Sequence, residues 1–211
     1  MTQNKGPVIG VAASSSMIML LMLILIVVAS HPTIPTGTTT VTQTLTTTFT
    51  LPQQTITYTT TVQAPAVEVL AVRFSPNGGC KTELLNWINR ANQSIYVLIY
   101  SFTLDDVANA LIAAKNRGLD VKIVMDNTQA AGQGSEYQTL LNAGVTVRTD
   151  NRSADMHDKV AIIDNQIVIT GSFNWSTSAE TENNENLIVL RSPSLASTYT
   201  TEFWHIWNTW T

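Results

Sequence analysis

The chain reads MHDKVAIID at residues 156–164 and GSFNW at residues 171–175, and these two stretches are the most informative about its chemistry. The first stretch contains the spacing H-x-K-x4-D, formed by His157, Lys159 and Asp164. Chance would produce this spacing about 0.003 times in a chain of this composition, so the pattern indicates a site. On an extended strand, His157 and Lys159 lie on the same face, because side chains two residues apart point the same way.

The residue types in this motif are suited to phosphoryl transfer. The imidazole of His157 can attack phosphorus and leave again. The ammonium of Lys159, with the hydroxyl of Ser172 and the amide of Asn174, can hold the non-bridging oxygens while charge develops. A zinc site is disfavoured, because the chain has 3 histidines and 1 cysteine and Lys159 would repel a cation. We therefore expect a site without metal or cofactor; the alternative is a structural histidine beside a surface salt bridge.

Residues 67–211 show strand-like and helix-like segments that alternate around this motif. This order predicts an α/β sandwich with a mixed central sheet, containing βαβ units. The predicted strands are 67–74, 94–102, 121–125, 145–148, 159–164, 166–171 and 186–190, and the predicted helices are 81–91, 105–117, 137–143 and 194–207.

The motif resembles the HKD motif of the phospholipase D superfamily, and in particular that of its small, single-motif, Nuc-type endonuclease branch. The resemblance extends over residues 73–207 and includes Tyr100-Ser101-Phe102-Thr103 and Arg117-Gly118 upstream of the motif. It implies a phospholipase D-like fold and a phosphodiesterase activity. The first 66 residues lie outside it.

The resemblance also implies a role for each residue of the site. His157 would be the nucleophile that forms a phosphohistidine, Lys159 would bind the phosphate, and Ser172 and Asn174 would donate further hydrogen bonds to it. Glu185 would orient the imidazole through its other nitrogen, as a carboxylate does in a triad. Asp164 and Gly171 would support the motif structurally.

Hydrolysis by this route needs a second imidazole, which protonates the leaving oxygen and then activates water. Members of the superfamily with a single motif supply it by forming a two-fold dimer. We therefore expect a homodimer with one composite active site, in which the two copies of His157 exchange roles. The competing candidate is His205, whose aromatic neighbours are more typical of a helix packed on the core.

The first third of the chain is nearly free of charge. Lys5 is the only charged residue before Glu68, and residues 8–29 form an uncharged run of 22 residues, which is long enough to cross a bilayer as a helix. We expect residues 1–30 to be a cytoplasmic stub with a transmembrane anchor; the alternative is a signal peptide cleaved near Ala29 or Ser30. The positive charge of Lys5 places the rest of the chain outside the cytoplasm, either at the cell membrane or secreted.

Residues 31–66 are rich in threonine, with 16 threonines among the 31 residues from Thr33 to Gln63. This composition is typical of extended, glycosylated stalks that bury no core. A strand is the alternative, because threonine is β-branched, but the apolar residues are spaced by four and not by two. We therefore expect an extracellular stalk at residues 31–66 and a catalytic domain at residues 67–211.

Three functions are consistent with these features. The leading prediction is a nuclease that acts on DNA or RNA outside the membrane, and the alternative is a phospholipase D that releases phospholipid head groups. The third is a catalytically idle binding module, against which the complete set of site residues argues. A nuclease should form a basic groove from Arg148, Arg152 and Lys159, whereas a lipase should expose an apolar rim near Trp175.

The overall charge does not favour a polyanion. The chain has a net charge of −4, without the basic balance of a nucleic-acid-binding protein. Four acidic residues also lie close to the motif in sequence and would weaken the attraction of a polyanion: Asp155, Asp158, Glu180 and Glu182.

Overall fold

The computed structural model describes residues 42–51, 54–63 and 67–211. Residues 8–29, where we predicted the transmembrane helix, lie outside these ranges. Within the ranges, no helix is both long and apolar enough to cross a bilayer.

Two strands occupy the described part of the threonine-rich segment. Strand β1 (Thr42–Leu51) pairs with strand β2 (Gln54–Gln63) in an antiparallel two-stranded sheet. Our preference for a segment without strands was therefore wrong at these residues. The four-residue spacing of the apolar residues was a poor guide here, because threonine itself favours extended backbone. A strand rich in threonine therefore needs no alternation of apolar residues. The function of the segment as a stalk stays a prediction.

The remaining elements form an α/β fold around one mixed sheet. They are β3 (Glu68–Ser75), α1 (Cys80–Arg90), β4 (Ser94–Ile99), α2 (Asp105–Asn116), β5 (Asp120–Asp126), α3 (Asn127–Ala130), α4 (Tyr137–Asn142), β6 (Thr146–Asp150), β7 (Lys159–Ile163), β8 (Ile167–Gly171), α5 (Thr177–Thr181), β9 (Glu185–Arg191) and α6 (Pro193–Thr209). The predicted α/β class and the mixed sheet are confirmed. The short helices α3 and α5 were not predicted.

The sheet has seven strands in the order β3-β9-β8-β7-β4-β5-β6. Strands β4, β5 and β6 are parallel, because helices connect them, whereas β7, β8 and β9 pair in antiparallel fashion. The turn between β7 and β8 contains Asp164 and Asn165, both with positive φ of 54° and 51°, as a tight hairpin requires.

Helices cover both faces of the sheet. On one face, Leu84 of α1 and Leu111 of α2 are fully buried against the strands. On the other face, Phe203 and Trp207 of α6 pack against Leu98, Val160 and further strand residues. Because both faces of its central strands are covered, β7 is buried along its whole length, and this fixes the position of the residues at its ends.

Candidate active site

The predicted site residues other than Asp164 lie at one edge of the seven-stranded sheet. Strand β7 begins there at Lys159, β8 ends there at Gly171, and β9 begins there at Glu185. Their termini coincide because neighbouring antiparallel strands run in opposite directions, with Val160 opposite Thr170 and Gly171 opposite Leu187. The loop that carries His157 directly precedes β7.

His157 and Lys159 form the centre of this edge. The side chain of His157 is exposed, whereas Lys159 is only 7% exposed. The Lys159 ammonium donates a hydrogen bond of 2.7 Å to the backbone carbonyl of His157, so one of its three N–H groups is used and two are left to bind a ligand. Burial lowers the pKa of Lys159, and the negative charges of Asp158, Glu185 and Asp155 oppose this shift.

Ser172 and Asn174 are half-buried in the segment after β8. The hydroxyl oxygen of Ser172 accepts hydrogen bonds from the backbone N–H and the side-chain amide of Asn186, at 3.1 and 3.2 Å. The carbonyl oxygen of the Asn174 side chain accepts a hydrogen bond of 3.3 Å from the backbone N–H of Ser101. Both side chains use their acceptor atoms in the protein, so their O–H and N–H donors can bind an anionic oxygen.

Glu185 is half-buried at the start of β9, opposite Ser75 of β3. Its carboxylate accepts a hydrogen bond of 3.2 Å from the side-chain amide of Asn183. Among the residues that the structure describes, no hydrogen bond joins this carboxylate to His157. The orienting role that the resemblance implies for Glu185 therefore stays a prediction, and the charge of Glu185 acts on Lys159 instead.

Asp164 lies at the opposite end of β7 from Lys159. Its carboxylate accepts hydrogen bonds from the consecutive backbone N–H groups of residues 92–94, at distances between 2.7 and 3.2 Å. These contacts fix the connection between α1 and β4. The third member of the motif thus lies away from His157 and Lys159.

Gly171 has a conformation and an environment that favour glycine. Its φ is 141°, and a Cβ atom at this position would lie 2.2 Å from the backbone oxygen of Asn186. That oxygen cannot move freely, because it accepts hydrogen bonds from the backbone N–H groups of Ser172 and Phe173. The glycine therefore brings β8 and β9 together next to Ser172.

We expect Gly171→Ala to lower the free energy of unfolding by about 2 kcal/mol or more, because the added methyl group forces the two strands apart. Gly118→Ala is the matched control. Gly118 has a φ of 94° but no atom within 4 Å of the added Cβ, so only the conformational cost of about 1 kcal/mol applies. Denaturant unfolding measures the free energy of unfolding of both variants. An equal loss in the two variants would show that the contact with Asn186 is unimportant.

Asp126 is a site residue that the sequence did not reveal. It is 3% exposed at the end of β5, and one carboxylate oxygen caps α3 by accepting a hydrogen bond of 3.0 Å from the Gln129 N–H. The other oxygen accepts a hydrogen bond of 3.1 Å from the backbone N–H of Met156. Asp126 therefore fixes the residue that precedes His157.

We expect Asp126→Ala to lower kcat about tenfold in the folded protein, because the loop that carries His157 loses its anchor. Asp164→Ala is the control: it also removes hydrogen bonds from a carboxylate, but at the other edge of the sheet. It should lower stability and leave the kcat of the folded protein unchanged. Thermal unfolding and steady-state kinetics separate the two effects. Equal kcat values in the two variants would contradict the role of Asp126.

The arginines expected to form a basic groove have partners inside the chain. Arg152 donates to the buried carboxylate of Asp150 at 2.8 Å, and its guanidinium lies 3.7 Å from the ring centroid of Trp210. Arg148 lies 4.1 Å from the ring centroid of Trp207 and donates to the backbone carbonyl of that residue. These contacts hold the C-terminal residues against β6, so neither arginine projects freely toward a ligand.

The apolar rim expected near Trp175 does not involve that residue. Trp175 is 2% exposed and packs edge-on against Phe102, at a centroid distance of 5.1 Å. The exposed large apolar side chains of the described domain lie instead on β3 and just before it, and Phe74 is the most exposed of them, at 62%. Phe74 is opposite Asn186 in β9 and therefore lies beside the site.

The chain matches known proteins over this same region. A family model described as "Cardiolipin synthase, PLD-like domain" matches residues 84–207. A mitochondrial cardiolipin hydrolase of Chlamydomonas reinhardtii is 35% identical over 62% of this chain and 65% of that protein. A phospholipase D of Rickettsia felis is 37% identical over 60% of this chain and 63% of that protein. The matched region thus spans less than two thirds of these relatives.

The fold also matches solved structures. The crystal structure of the phospholipase D family member Nuc from Salmonella typhimurium aligns with a TM-score of 0.64 and 40% sequence identity. The alignment covers 70% of this chain and 97% of Nuc.

Proposed function

The chain belongs to the family of PLD-like domains and is a phosphodiesterase of the phospholipase D superfamily, and on this premise we propose that His157 is its nucleophile. One observation carries the proposal. The buried ammonium of Lys159 is held beside His157, at the sheet edge where Ser172 and Asn174 keep free donors. A phosphate oxygen bound by these donors would present its phosphorus to the imidazole.

The reaction proceeds in two steps. The imidazole of His157 attacks phosphorus, so that a P–N bond forms while the P–O bond to the leaving alcohol breaks. A second, protonated imidazole gives its proton to the leaving oxygen. That imidazole then takes a proton from water, whose oxygen attacks phosphorus, and the P–N bond breaks to release the phosphomonoester. The protein requires no metal or cofactor for these steps.

The second imidazole comes from a second copy of the chain. His205, the competing candidate, packs its ring against Trp210 at a centroid distance of 4.8 Å, and this contact holds it to the C-terminal residues. A homodimer with a two-fold axis beside His157 brings the two copies of this residue together.

Co-expression of equal amounts of wild-type and His157→Ala chains tests the composite site. Random pairing leaves about a quarter of the dimers with two copies of His157, so the activity per amount of total protein should fall to about a quarter of that of the wild type. If each chain had its own complete site, about half of the wild-type activity would remain. A fully active monomer would also contradict the composite site.

The distribution of charge favours a phospholipid over a nucleic acid as substrate. Asp155 and Asp158, next to His157 in the sequence, are exposed, and their negative charges act on Lys159. Two other cations of the domain are paired with carboxylates, Arg152 with Asp150 and Lys81 with Asp106, both within 2.9 Å. A polyanion would gain little from such a surface. The names of the relatives, a cardiolipin hydrolase and a phospholipase D, support the same substrate class.

Phe74 would contact the lipid surface. We expect Phe74→Ser to reduce hydrolysis of phospholipid in vesicles much more than hydrolysis of the soluble diester bis(p-nitrophenyl) phosphate, because it removes exposed apolar area without touching Lys159. Kinetics on both substrates measure the difference. Equal losses on the two would show that Phe74 makes no specific contact with lipid.

A nucleic acid is the second candidate, because the motif resembles that of the endonuclease branch. The full-length protein should be assayed in EDTA against phosphatidylcholine and cardiolipin vesicles and against single- and double-stranded DNA. Release of head groups without DNA cleavage supports the phospholipase. DNA cleavage alone would identify a nuclease, and activity on neither would contradict both.

We also propose that residues 8–29 anchor the chain in the cell membrane and that residues 31–66 hold the catalytic domain outside the cytoplasm. This arrangement agrees with a lipid substrate, since it keeps residues 67–211 near a bilayer. Protease added to intact cells should then remove the catalytic domain. A domain protected until the cells are lysed would contradict this topology.

A further inference from the structure

Tyr100 contacts both principal residues of the site. Its ring centroid lies 4.5 Å from that of His157, with the two rings inclined by 53°. The Lys159 ammonium lies 4.9 Å from the same Tyr100 centroid. One half-buried aromatic ring therefore contacts the imidazole and the ammonium together.

The protein holds Tyr100 in place from two directions. Its backbone N–H donates a hydrogen bond of 3.0 Å to the carbonyl of Asp158, which extends the pairing of β4 with β7 by one residue. Its hydroxyl accepts a hydrogen bond of 3.3 Å from the side-chain amide of Gln129. Gln129 in turn donates its backbone N–H to Asp126, which holds Met156. Tyr100 thus belongs to a closed set of contacts around the loop of His157.

The ring compensates for the burial of the Lys159 ammonium. A buried cation loses water, and among the residues that the structure describes one acceptor, the His157 carbonyl, replaces it. The negative face of an aromatic ring attracts a cation within about 6 Å of its centroid, and this attraction is strongest where water is excluded. Tyr100 therefore favours the charged form of Lys159 that phosphate binding needs.

The ring also restricts the exposed side chain of His157. An exposed imidazole loses rotamer freedom when it becomes fixed for attack, and a packed aromatic neighbour reduces that loss before the substrate binds. The distance of 4.5 Å between the centroids is a contact distance for aromatic rings.

We propose that Tyr100 is a positioning residue that holds the imidazole of His157 and the ammonium of Lys159 in the arrangement needed for attack on phosphorus. This inference rests on the proposed function. It predicts that the aromatic ring, more than the hydroxyl group, is required.

The test compares Tyr100→Leu, which removes the ring, with Tyr100→Phe, which removes only the hydroxyl. We expect Tyr100→Leu to lower kcat for bis(p-nitrophenyl) phosphate about tenfold, with little change in KM. Tyr100→Phe should retain kcat within about threefold, and Gln129→Ala, which removes the same hydrogen bond from the other side, should behave alike. Circular dichroism and thermal unfolding of the full-length proteins establish that each variant folds.

Nuclear magnetic resonance of histidine-labelled protein gives a readout that does not depend on activity. The chain has 3 histidines, and His157→Ala identifies the signal of His157. The ring protons of His157 should lose their ring-current shift in Tyr100→Leu and keep it in Tyr100→Phe. An unchanged signal in folded Tyr100→Leu, an unchanged kcat, or an equal loss of kcat in Tyr100→Phe would each overturn the proposal. A wild-type protein that shows this shift but hydrolyses no diester would overturn the proposed function instead.

Discussion

Replacing His157 with alanine is expected to abolish hydrolysis, with a loss of kcat of about 10⁴-fold or more. The imidazole is the only group of the site that forms a covalent bond in the proposed reaction. Both steps fail without it, because each needs one imidazole from each subunit. Since the side chain is exposed, its removal should leave the fold intact. Assays in EDTA against bis(p-nitrophenyl) phosphate measure the effect.

His205→Ala is the matched control for this variant. His205 is also exposed, and it lies on α6, where it contacts Trp210. Its removal should change kcat by less than about threefold. A large loss of activity in His205→Ala, together with activity in a monomer, would identify His205 as the second imidazole and contradict the composite site.

Lys159→Met is expected to lower kcat about 10²- to 10³-fold, the effect typical of removing one donor that binds developing charge. Methionine keeps much of the volume of the side chain and removes the ammonium that lies beside His157. The variant should fold, because it replaces a buried cation by an apolar group of similar shape. Steady-state kinetics and thermal unfolding measure the two effects.

Lys122→Met is the corresponding control. Lys122 lies near the start of β5, where its ammonium pairs with Asp120 and lies 5.6 Å from the ring centroid of Trp204. Its removal should lower stability and leave kcat unchanged. If Lys159→Met kept the activity of the wild type, phosphate binding by Lys159 would be excluded.

Most of the fold of residues 67–211 was predictable because local patterns and packing agree there. The run from Ser94 to Ile99 is rich in apolar and β-branched residues, and it forms strand β4, next to the central strand β7. The pairing of β7 with β8 around Asn165 was predictable because asparagine tolerates the positive φ that a tight turn requires. The order of the strands in the sheet was not predictable, because it depends on contacts between distant segments.

The site residues that belong to the motif were predictable from the sequence. The residues that reach the site only through tertiary contacts were not. Tyr100 and Asp126 follow apolar strands and carry no local signal of their role. Tyr100 contacts His157, and Asp126 contacts Met156, because β4 and β5 end at the same edge of the sheet at which β7 begins. A polar residue directly after a buried strand is the one feature that sequence analysis could have used to find Asp126.

Two arginines show why the position of a charge in the sequence does not establish a binding surface. Arg148 and Arg152 precede the motif in sequence and suggested a basic groove. In the structure their guanidinium groups lie on the rings of Trp207 and Trp210, so they stabilise the packing of C-terminal residues. Each arginine is separated from its tryptophan by about 60 residues, so no local pattern in the sequence predicts the contact.

The phosphohistidine at His157 is the central claim, and trapping it is the most direct test. The full-length protein is mixed with bis(p-nitrophenyl) phosphate in EDTA, quenched in alkali during turnover, digested with trypsin and examined by mass spectrometry. The peptide SADMHDK, residues 153–159, should carry the mass of a p-nitrophenyl phosphoryl group on His157, and the adduct should be absent from His157→Ala. Turnover without this adduct, or with an adduct on another residue, would contradict the mechanism.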